Sequence, residues 1–306
     1  MNDASLLQNK VALVTGGTSG IGYHTALALA RLGPEVYITG RNPSRGRNAQ
    51  VEMRKAAGHR KVHFISADTC TVGGNRELAR QVGEKTDQLH ILVNNMDSLY
   101  NDPWVTADLY EATLAMNFVG PHALTEALLP LLRQSAPARI VNVTSAGYTM
   151  WKGDVFEDIQ SRNSFSGVEA YNRSKYLNLL WTLALARRLE DSGIVANALH
   201  PGTNRTNMTK SNEPRRLLAG MQVLCPIFGV LQHSSSPTKV AQTLVYLASA
   251  PEAAGFNGRY FENNTRPKDL GADVTDAIKQ EKAWELGEYL VQTAMTVIHF
   301  GPELIA

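Results

Sequence analysis

A tyrosine and a lysine stand four residues apart in the segment Tyr171-Asn172-Arg173-Ser174-Lys175. On a helix this spacing places the two side chains one turn apart on the same face, where an ammonium group can lie beside a phenol. A nearby cation favours the phenolate and lowers the pKa of the tyrosine toward the range of proton exchange at neutral pH. The pair therefore predicts that Tyr171 acts as a general acid or base, although most tyrosines and lysines at this spacing are only surface neighbours.

A glycine-rich segment, Thr15-Gly16-Gly17-Thr18-Ser19-Gly20-Ile21-Gly22, joins an apolar strand pattern to a helix pattern that starts at Tyr23. Positions without a side chain let the backbone turn sharply and approach a pyrophosphate, and the N-terminus of the helix offers unpaired N–H groups. The spacing Gly-x3-Gly-x-Gly predicts a dinucleotide-binding loop, and a plain tight turn is the alternative. The residues expected to contact the dinucleotide are Gly16, Thr18, Ser19, Gly20, Ile21 and Gly22.

The end of the second strand pattern indicates which dinucleotide is bound. An acid at this place binds the ribose 2′-hydroxyl of NAD, whereas a basic residue accommodates the 2′-phosphate of NADP. Here the sequence is Thr39-Gly40-Arg41, with Arg45 close behind, and guanidinium groups offer forked donors to a phosphate. The predicted cofactor is therefore NADP(H), and the alternative is a solvated Arg41 that contacts no ligand.

Short β-branched apolar segments alternate with helix-length segments, which is typical of parallel strands joined by crossover helices. The predicted strands are Val11 to Thr15, Val36 to Thr39, Val62 to Ile65, Ile91 to Val93, Ile140 to Thr144, Ile194 to Leu199 and Arg259 to Phe261. No repeat or Pro/Gly-rich linker divides the sequence. We therefore predict an α/β fold with one domain over residues 1–306, built as a Rossmann-type doubly wound parallel sheet of about seven strands with helices on both faces.

The glycine spacing with its leading threonine resembles the short-chain dehydrogenase/reductase family, and later positions agree with that resemblance. Asp68 stands where the family has an acid that hydrogen-bonds the adenine, and Asn94-Asn95 begin a segment that matches the family's Asn-Asn-Ala-Gly. Met96-Asp97 replace the last two residues of that motif. Asp97 therefore adds a side chain and a charge near the expected position of the cofactor's ribose.

The resemblance implies a catalytic set of Asn117, Ser145, Tyr171 and Lys175. Ser145 would hydrogen-bond the substrate oxygen as charge develops on it, and Asn117 would hold a water that links Lys175 to solvent. Tyr171 would exchange the proton while hydride moves between the nicotinamide and the substrate carbon. The cofactor contacts expected outside the glycine-rich segment are Arg41, Asp68, Asn94, Tyr171, Lys175, Pro201, Gly202 and Thr206.

Two longer segments refine the resemblance. Tyr171 follows Ser145 by 26 residues, and this insertion, together with Gly258-Arg259-Tyr260-Phe261 and Trp284-Glu285-Leu286, resembles the branch of retinol dehydrogenases and the WW-domain oxidoreductase. The likeness covers residues 8–290.

The largely apolar residues 203–236 are expected to form a substrate lid, and residues 269–306 a helical tail. A lipophilic ketone, aldehyde or secondary alcohol fits such a lid, for example a polycyclic secondary metabolite or a steroid-like compound.

Composition excludes several classes of partner. The sequence has 30 basic and 28 acidic residues and a formal charge of +2, so nothing in its charge indicates nucleic acid or an anionic membrane. Cys70 and Cys225 form no disulfide framework, which favours a reducing compartment. Without a leader pattern or an apolar segment of about 20 residues, we expect a cytoplasmic protein with no transmembrane segment. The eight histidines show no metal-binding pattern, so we expect no catalytic metal.

Two other functions fit the same residues. The cofactor site could serve nonstandard pathway chemistry, such as isomerisation or cyclisation. A catalytically silent protein could instead bind NADP as a regulatory ligand, and Asp97 is the feature that supports this alternative. Assembly also has two interpretations: two copies could form a homodimer through helices at Ala107 to Leu132 and Val168 to Ser192, or the tail from Asp269 could cover that surface.

Overall fold

The computed structural model of the chain describes residues 6–202, 236–262 and 264–300, with side chains described as far as Ala294. Residues 203–235 of the lid predicted at 203–236, and with them the predicted cofactor residue Thr206, lie outside the described residues. The remainder forms one α/β domain built on a single sheet.

The sheet has eight strands, and its centre is parallel. The strands are β1 Val11–Val14, β2 Glu35–Gly40, β3 Val62–Ser66, β4 Ile91–Asn94, β5 Ala138–Val143, β6 Ile194–His200, β7 Tyr260–Glu262 and β8 Pro267–Lys268. Their order across the sheet is β3-β2-β1-β4-β5-β6-β7-β8, and only β7 and β8 pair antiparallel. The chain therefore changes its direction of winding between β1 and β4, which leaves a crevice at the carboxyl ends of these two strands.

The helices are α1 Gly20–Ala30, α2 Pro43–Ala57, α3 Val72–Gly83, α4 Ala112–Leu114, α5 Gly120–Gln134, α6 Gly167–Arg188, α7 Pro237–Ser249, α8 Ala272–Thr275 and α9 Ala277–Phe300. A π-helical turn, Ala115–Val119, joins α4 to α5. Alternate residues of each central strand face opposite layers: Val11 and Leu13 belong to one core, and Ala12 and Val14 to the other. The first core is covered by α3, α5, α6 and α9, and the second by α1, α2 and α7.

These elements confirm the predicted fold class and strand positions. Each of the seven predicted strands is present, and each of its ends lies within two residues of the predicted position. The eighth strand was not predicted, because it has two exposed residues and carries no apolar pattern. Within the described part of the chain, no helix is long and apolar enough to cross a membrane, and no group of three or more His, Cys, Asp or Glu side chains could hold a metal ion.

The C-terminal helix α9 packs against α6 through a layer of aromatic rings. The imidazole of His122 on α5 lies between Trp181 and Trp284, with ring centroids 5.3 and 5.2 Å away. Gly287 allows α9 to pack closely against His122, because a Cβ atom at this position would overlap the His122 ring. Burial lowers the pKa of His122 to about 3, so the ring is neutral and packs as an apolar group. The predicted tail therefore covers part of the surface of α5 and α6.

Candidate active site

The glycine-rich segment forms the turn between β1 and α1 at the carboxyl edge of the sheet. Gly16 and Gly20 have φ values of +64° and +56°, in the left-handed region that glycine adopts without strain. A Cβ atom on Gly22 would lie 2.5 Å from the backbone oxygen of Gly16 and from Asn95 Nδ2. The spacing of these glycines therefore has a steric cause in the folded chain.

The turn is tied to the loop after β4 by Thr15 and Asn95. Thr15 Oγ1 accepts hydrogen bonds from the backbone N–H groups of Asn95 and Met96, at 3.0 and 2.9 Å. Asn95 Nδ2 in turn donates to the backbone oxygen of Thr15 at 2.9 Å. These three bonds hold the ends of β1 and β4 in one rigid unit at the crevice.

A cavity of about 600 Å³ opens beside this turn, between the start of α1 and α2. Gly20 faces open space, with no atom within 4 Å of the position that its Cβ would occupy. The N-cap residue Ser19 makes no side-chain hydrogen bond to α1, so its side chain satisfies none of the unpaired N–H groups of the first turn. Asn42 and Arg45 line the opposite wall. An open glycine, an uncapped helix N-terminus and a nearby guanidinium fit the diphosphate and phosphate groups of a dinucleotide.

Arg41 and Asp68 are exposed where β2 and β3 end. Arg41 Nη1 lies 3.9 Å from Cys70 Sγ, and Asp68 Oδ1 accepts a hydrogen bond from the backbone N–H of Cys70 at 3.1 Å. Burial raises the pKa of the Cys70 thiol to about 12, so the sulfur stays protonated between these two charged residues. Both predicted cofactor residues therefore present charged groups to solvent at the carboxyl edge of the sheet.

Tyr171 and Lys175 meet at the ends of β4 and β5, as their spacing on α6 predicts. The Lys175 side chain is 1% exposed, and its ammonium lies 3.0 Å from both Val143 O and Asp97 Oδ2. The Tyr171 hydroxyl donates to the same Asp97 oxygen at 3.4 Å. Asp97 thus contacts both members of the pair, a partnership that no local pattern in the sequence predicts.

Ser145 lies two residues after the end of β5 and caps the short 3-10 helix Ala146–Met150. Its Oγ accepts a hydrogen bond from the backbone N–H of Gly147 at 3.1 Å. The hydroxyl also hydrogen-bonds Tyr171, an interaction that favours the phenolate form of the tyrosine. The structure therefore brings Ser145, Tyr171 and Lys175 together at one point of the crevice.

Asn117 lies in the π-helical turn, and its polar atoms are all engaged. Because Pro121 has no N–H, the backbone oxygen of Asn117 lacks the usual α-helical donor and accepts from Asn178 Nδ2 at 2.9 Å. Its side chain accepts from the backbone N–H of Ser98 and donates to the backbone oxygen of the same residue, both at 2.9 Å. Asn117 therefore fixes the loop beside Asp97, and its role in holding a water that links Lys175 to solvent stays a prediction.

The electrostatics of Tyr171 correct the predicted direction of its pKa. The sequence predicts a lowered value because Lys175 is near. Burial and then the Asp97 carboxylate instead raise the pKa of Tyr171 well above its usual value of 10, and the bond from Ser145 opposes this only in part. The prediction was wrong first because burial disfavours the phenolate, and second because the Asp97 carboxylate both pairs with Lys175 and faces the phenol.

The other predicted cofactor residues divide into two groups. Pro201 and Gly202 follow β6 at the same edge of the sheet, and Gly202 has a φ of +75°. The Asn94 side chain, by contrast, turns into the sheet, where its Nδ2 donates to Thr125 Oγ1 at 2.9 Å and to Asn142 Oδ1 at 2.8 Å. Thr15 and Asn95, which the sequence identifies only as members of motifs, position this edge, and so does Asn178, which the sequence did not single out. The sequence signal for Thr15 is its place between a predicted strand and a glycine turn.

Comparisons with known proteins agree with this geometry. The sequence model of the short chain dehydrogenase family matches residues 10–217. Human retinol dehydrogenase 14 is 33% identical, over 94% of this chain and 88% of its own length, and mouse polyprenol dehydrogenase is 33% identical, over 91% and 82%. A crystal structure of a short chain dehydrogenase from Burkholderia cenocepacia in complex with NADP is 29% identical, with a TM-score of 0.66, over 84% of this chain and 96% of that one. The chain belongs to the short-chain dehydrogenase family and is similar to its retinol dehydrogenase branch.

Proposed function

We propose that the chain is an NADPH-dependent oxidoreductase that interconverts a lipophilic ketone or aldehyde with the matching alcohol. The observation that carries the proposal is the convergence of Ser145, Tyr171 and Lys175 beside the glycine-rich turn. A hydroxyl donor, a proton donor and a buried cation at one edge of the crevice supply the protein groups that a carbonyl reduction needs.

The chain's own residues bind the cofactor and move the proton. A nicotinamide cofactor, when bound, supplies hydride to a carbonyl or takes it from an alcohol. Ser145 would donate a hydrogen bond to the substrate oxygen, and Tyr171 would exchange a proton with that oxygen through its hydroxyl. Lys175 would hold the ribose of the cofactor and maintain the field at Tyr171. The proposed cofactor contacts are Gly16, Thr18, Ser19, Gly20, Ile21, Gly22, Arg41, Asp68, Tyr171, Lys175, Pro201, Gly202 and Thr206.

Two features support NADP(H) over NAD(H). No acid follows β2, where Gly40 leads directly into Arg41 and Asn42, and Arg45 lines the cavity next to the glycine-rich turn. Guanidinium groups bind a phosphate through paired charge-assisted hydrogen bonds, which the hydroxyl of NAD cannot match. The Burkholderia structure, whose likeness spans most of this chain, contains NADP.

Apolar side chains near the site support a lipophilic substrate. Met150, at the end of the short helix that Ser145 caps, is 64% exposed, and Trp104, on the loop after Asp97, is 42% exposed. Exposed apolar groups beside a polar centre are typical of a pocket for a hydrophobic ligand. The names of two relatives, retinol dehydrogenase and polyprenol dehydrogenase, refer to lipophilic alcohols. A polycyclic secondary metabolite or a steroid-like compound has the same character.

A panel of substrates tests this proposal. Purified protein would be mixed with NADPH or NADH and with lipophilic ketones and aldehydes, and with oxidised cofactors and the matching alcohols. We expect consumption of NADPH, faster than that of NADH, with at least one lipophilic carbonyl and with formation of its alcohol. Binding of NADPH without turnover of any carbonyl or alcohol would contradict the proposal.

The contact between Asp97 and Lys175 favours a second candidate. The Asp97 carboxylate lies 3.0 Å from the Lys175 ammonium and takes up one of its N–H donors. A catalytic lysine would offer that donor to the ribose of the cofactor. A catalytically silent protein that binds NADP as a regulatory ligand would have such a blocked lysine. In that case the cofactor would bind with the same affinity to wild type and to Tyr171→Phe, and neither protein would turn over any compound of the panel.

We propose a cytoplasmic location for the protein, because its two cysteines, Cys70 and Cys225, form no disulfide framework.

The protein is either a monomer or a homodimer formed through α5 and α6. The packing of α9 on α6, with Trp284 against His122, supports the monomer because part of that surface is already covered. Sedimentation equilibrium of the full chain distinguishes the two, since a homodimer would have twice the chain mass of 33.5 kDa.

A further inference from the structure

Asp97 places a carboxylate at the centre of the candidate site. One of its oxygens, Oδ2, lies 3.0 Å from Lys175 Nζ and 3.4 Å from the Tyr171 hydroxyl. The Lys175 side chain is 1% exposed and that of Asp97 is 22% exposed. A buried ammonium is costly unless a charge and hydrogen bonds compensate it. Asp97 is therefore the counter-ion of Lys175, and it reaches partly into solvent.

The neighbouring backbone holds Asp97 in this place. On one side, the N–H of Met96 donates to Thr15 Oγ1 at 2.9 Å. On the other, both backbone polar groups of Ser98 are bound by the Asn117 side chain. The backbone on both sides of Asp97 is thus hydrogen-bonded to the end of β1 and to the π-helical turn, which sets the position of the carboxylate.

Among residues 6–202, 236–262 and 264–294, the groups that face Tyr171 and Lys175 from the other elements carry no second negative charge. The end of β5 contributes the Val143 carbonyl and the Ser145 hydroxyl. The end of β6 contributes His200, whose pKa is lowered first by burial, and this lowering favours the neutral ring. Within the described part of the chain, Asp97 is the carboxylate that forms an ion pair with Lys175.

This arrangement acts differently on the two protonation states of Tyr171. The neutral phenol donates its proton toward the carboxylate, which is a favourable contact. A phenolate would instead place a negative charge next to another one, and the field of Lys175 that would offset this is already neutralised by Asp97. Burial is the first cause of the raised pKa of Tyr171, and the Asp97 carboxylate raises it further.

The protonation state decides which direction of reaction Tyr171 can serve. In carbonyl reduction the carbon accepts hydride from NADPH, the C=O π pair moves to oxygen, and that oxygen takes the Tyr171 proton to give the alcohol. Solvent then returns a proton to the phenolate. Alcohol oxidation is the reverse and needs Tyr171 to start as phenolate. A group that keeps the phenol protonated therefore favours reduction.

We propose that Asp97 is a positioning residue that, as the counter-ion of Lys175, keeps Tyr171 protonated and thereby biases the site toward carbonyl reduction. The inference about direction rests on the proposed oxidoreductase function, whereas the effect on Tyr171 is a property of the free protein. Asp97 acts through Tyr171 and Lys175 and needs no contact with the substrate.

The test is the titration of Tyr171 in the cofactor-free chain. Asp97→Asn removes the charge at nearly constant volume, and Asp97→Gly removes the side chain as well. The phenolate signal would be followed by ultraviolet difference absorbance, or by NMR of tyrosines labelled with 13C at Cζ, with Tyr171→Phe to assign the signal. We expect the midpoint of Tyr171 to fall by about one unit or more in both variants, which means about tenfold more phenolate at a given pH. An unchanged midpoint in a folded variant would overturn the proposal.

A matched control is Asp102→Asn, which removes the same charge from an exposed residue of the same loop. It should leave the Tyr171 titration unchanged. If the substrate panel yields turnover, Asp97→Asn should also move the rise of the oxidation rate to lower pH by the same shift. Turnover without a shifted titration refutes only the role of Asp97, whereas a shifted titration without turnover refutes only the proposed function.

Discussion

The two ends of the crevice differ in how their charges are solvated. At the end next to β5, Lys175 is buried and paired with Asp97, and both contact Tyr171. At the end next to β2, Arg41 and Asp68 are exposed, and Asn42, which follows Arg41, lines a cavity of about 600 Å³. Buried charges interact strongly and set protonation states, whereas exposed charges are screened and act through direct contact with a ligand. The buried end is thus suited to chemistry, and the open end to the choice of cofactor.

The largest effect that would test this division is the removal of the Tyr171 hydroxyl. In Tyr171→Phe we expect the turnover number to fall by about 10²- to 10⁴-fold, because the general acid is lost. The dissociation constant of NADPH should change much less, since Tyr171 is one of many proposed cofactor contacts and those of the open end are intact. Steady-state kinetics and fluorescence titration measure the two quantities. A comparable loss of NADPH binding would break the division between chemistry and binding.

At the open end, Arg41→Ala should reduce the preference for NADPH over NADH by about tenfold to a hundredfold, as the loss of charge-assisted hydrogen bonds to a phosphate implies. The turnover number at saturating cofactor should change little. Arg47→Ala is the matched control, because Arg47 is an exposed arginine within α2 and not at the end of β2 where the 2′-phosphate is expected. Equal losses of preference in the two variants would show a general effect of charge rather than contact at Arg41.

Thr15→Val tests the hydrogen bonds that join the ends of β1 and β4, between the two ends of the crevice. The valine leaves the N–H groups of Asn95 and Met96 without the Thr15 Oγ1 acceptor. We expect the free energy of unfolding to fall by about 1–3 kcal/mol, because these partly buried donors lose their partner. Urea unfolding followed by circular dichroism gives the value. A loss of turnover larger than this stability change accounts for would show that the alignment of the ends matters for the chemistry itself.

The smallest effect is expected at two glycines with similar backbones. Gly20 and Gly58 have φ values of +56° and +76°, and neither has an atom within 4 Å of a Cβ position. Replacement of either by alanine should cost about 1–2 kcal/mol of unfolding free energy through backbone strain. Only Gly20→Ala should also weaken NADPH binding in an equilibrium titration. Equal NADPH affinities of the two variants would place the cofactor away from the turn after β1.

Sequence patterns located the parts of this protein that depend on local spacing. Apolar segments of strand length predicted seven strands, and the glycine spacing matches the left-handed turn at Gly16 and Gly20. The four-residue spacing predicted that Tyr171 and Lys175 lie on one face of α6. Each of these features is decided by backbone geometry over a few residues, so it can be recognised without knowledge of the rest of the chain.

Only the tertiary structure decided which distant groups meet. Asp97 follows β4 and pairs with Lys175 of α6, whose ammonium lies against Val143 at the end of the neighbouring strand β5. Burial first, and then the Asp97 carboxylate, reverse the pKa shift that the sequence predicts for Tyr171. Asn94 turns toward Thr125 and Asn142 because alternate residues of a strand face opposite sides. Contacts of this kind depend on strand order and side-chain direction, and burial makes them strong enough to control charge.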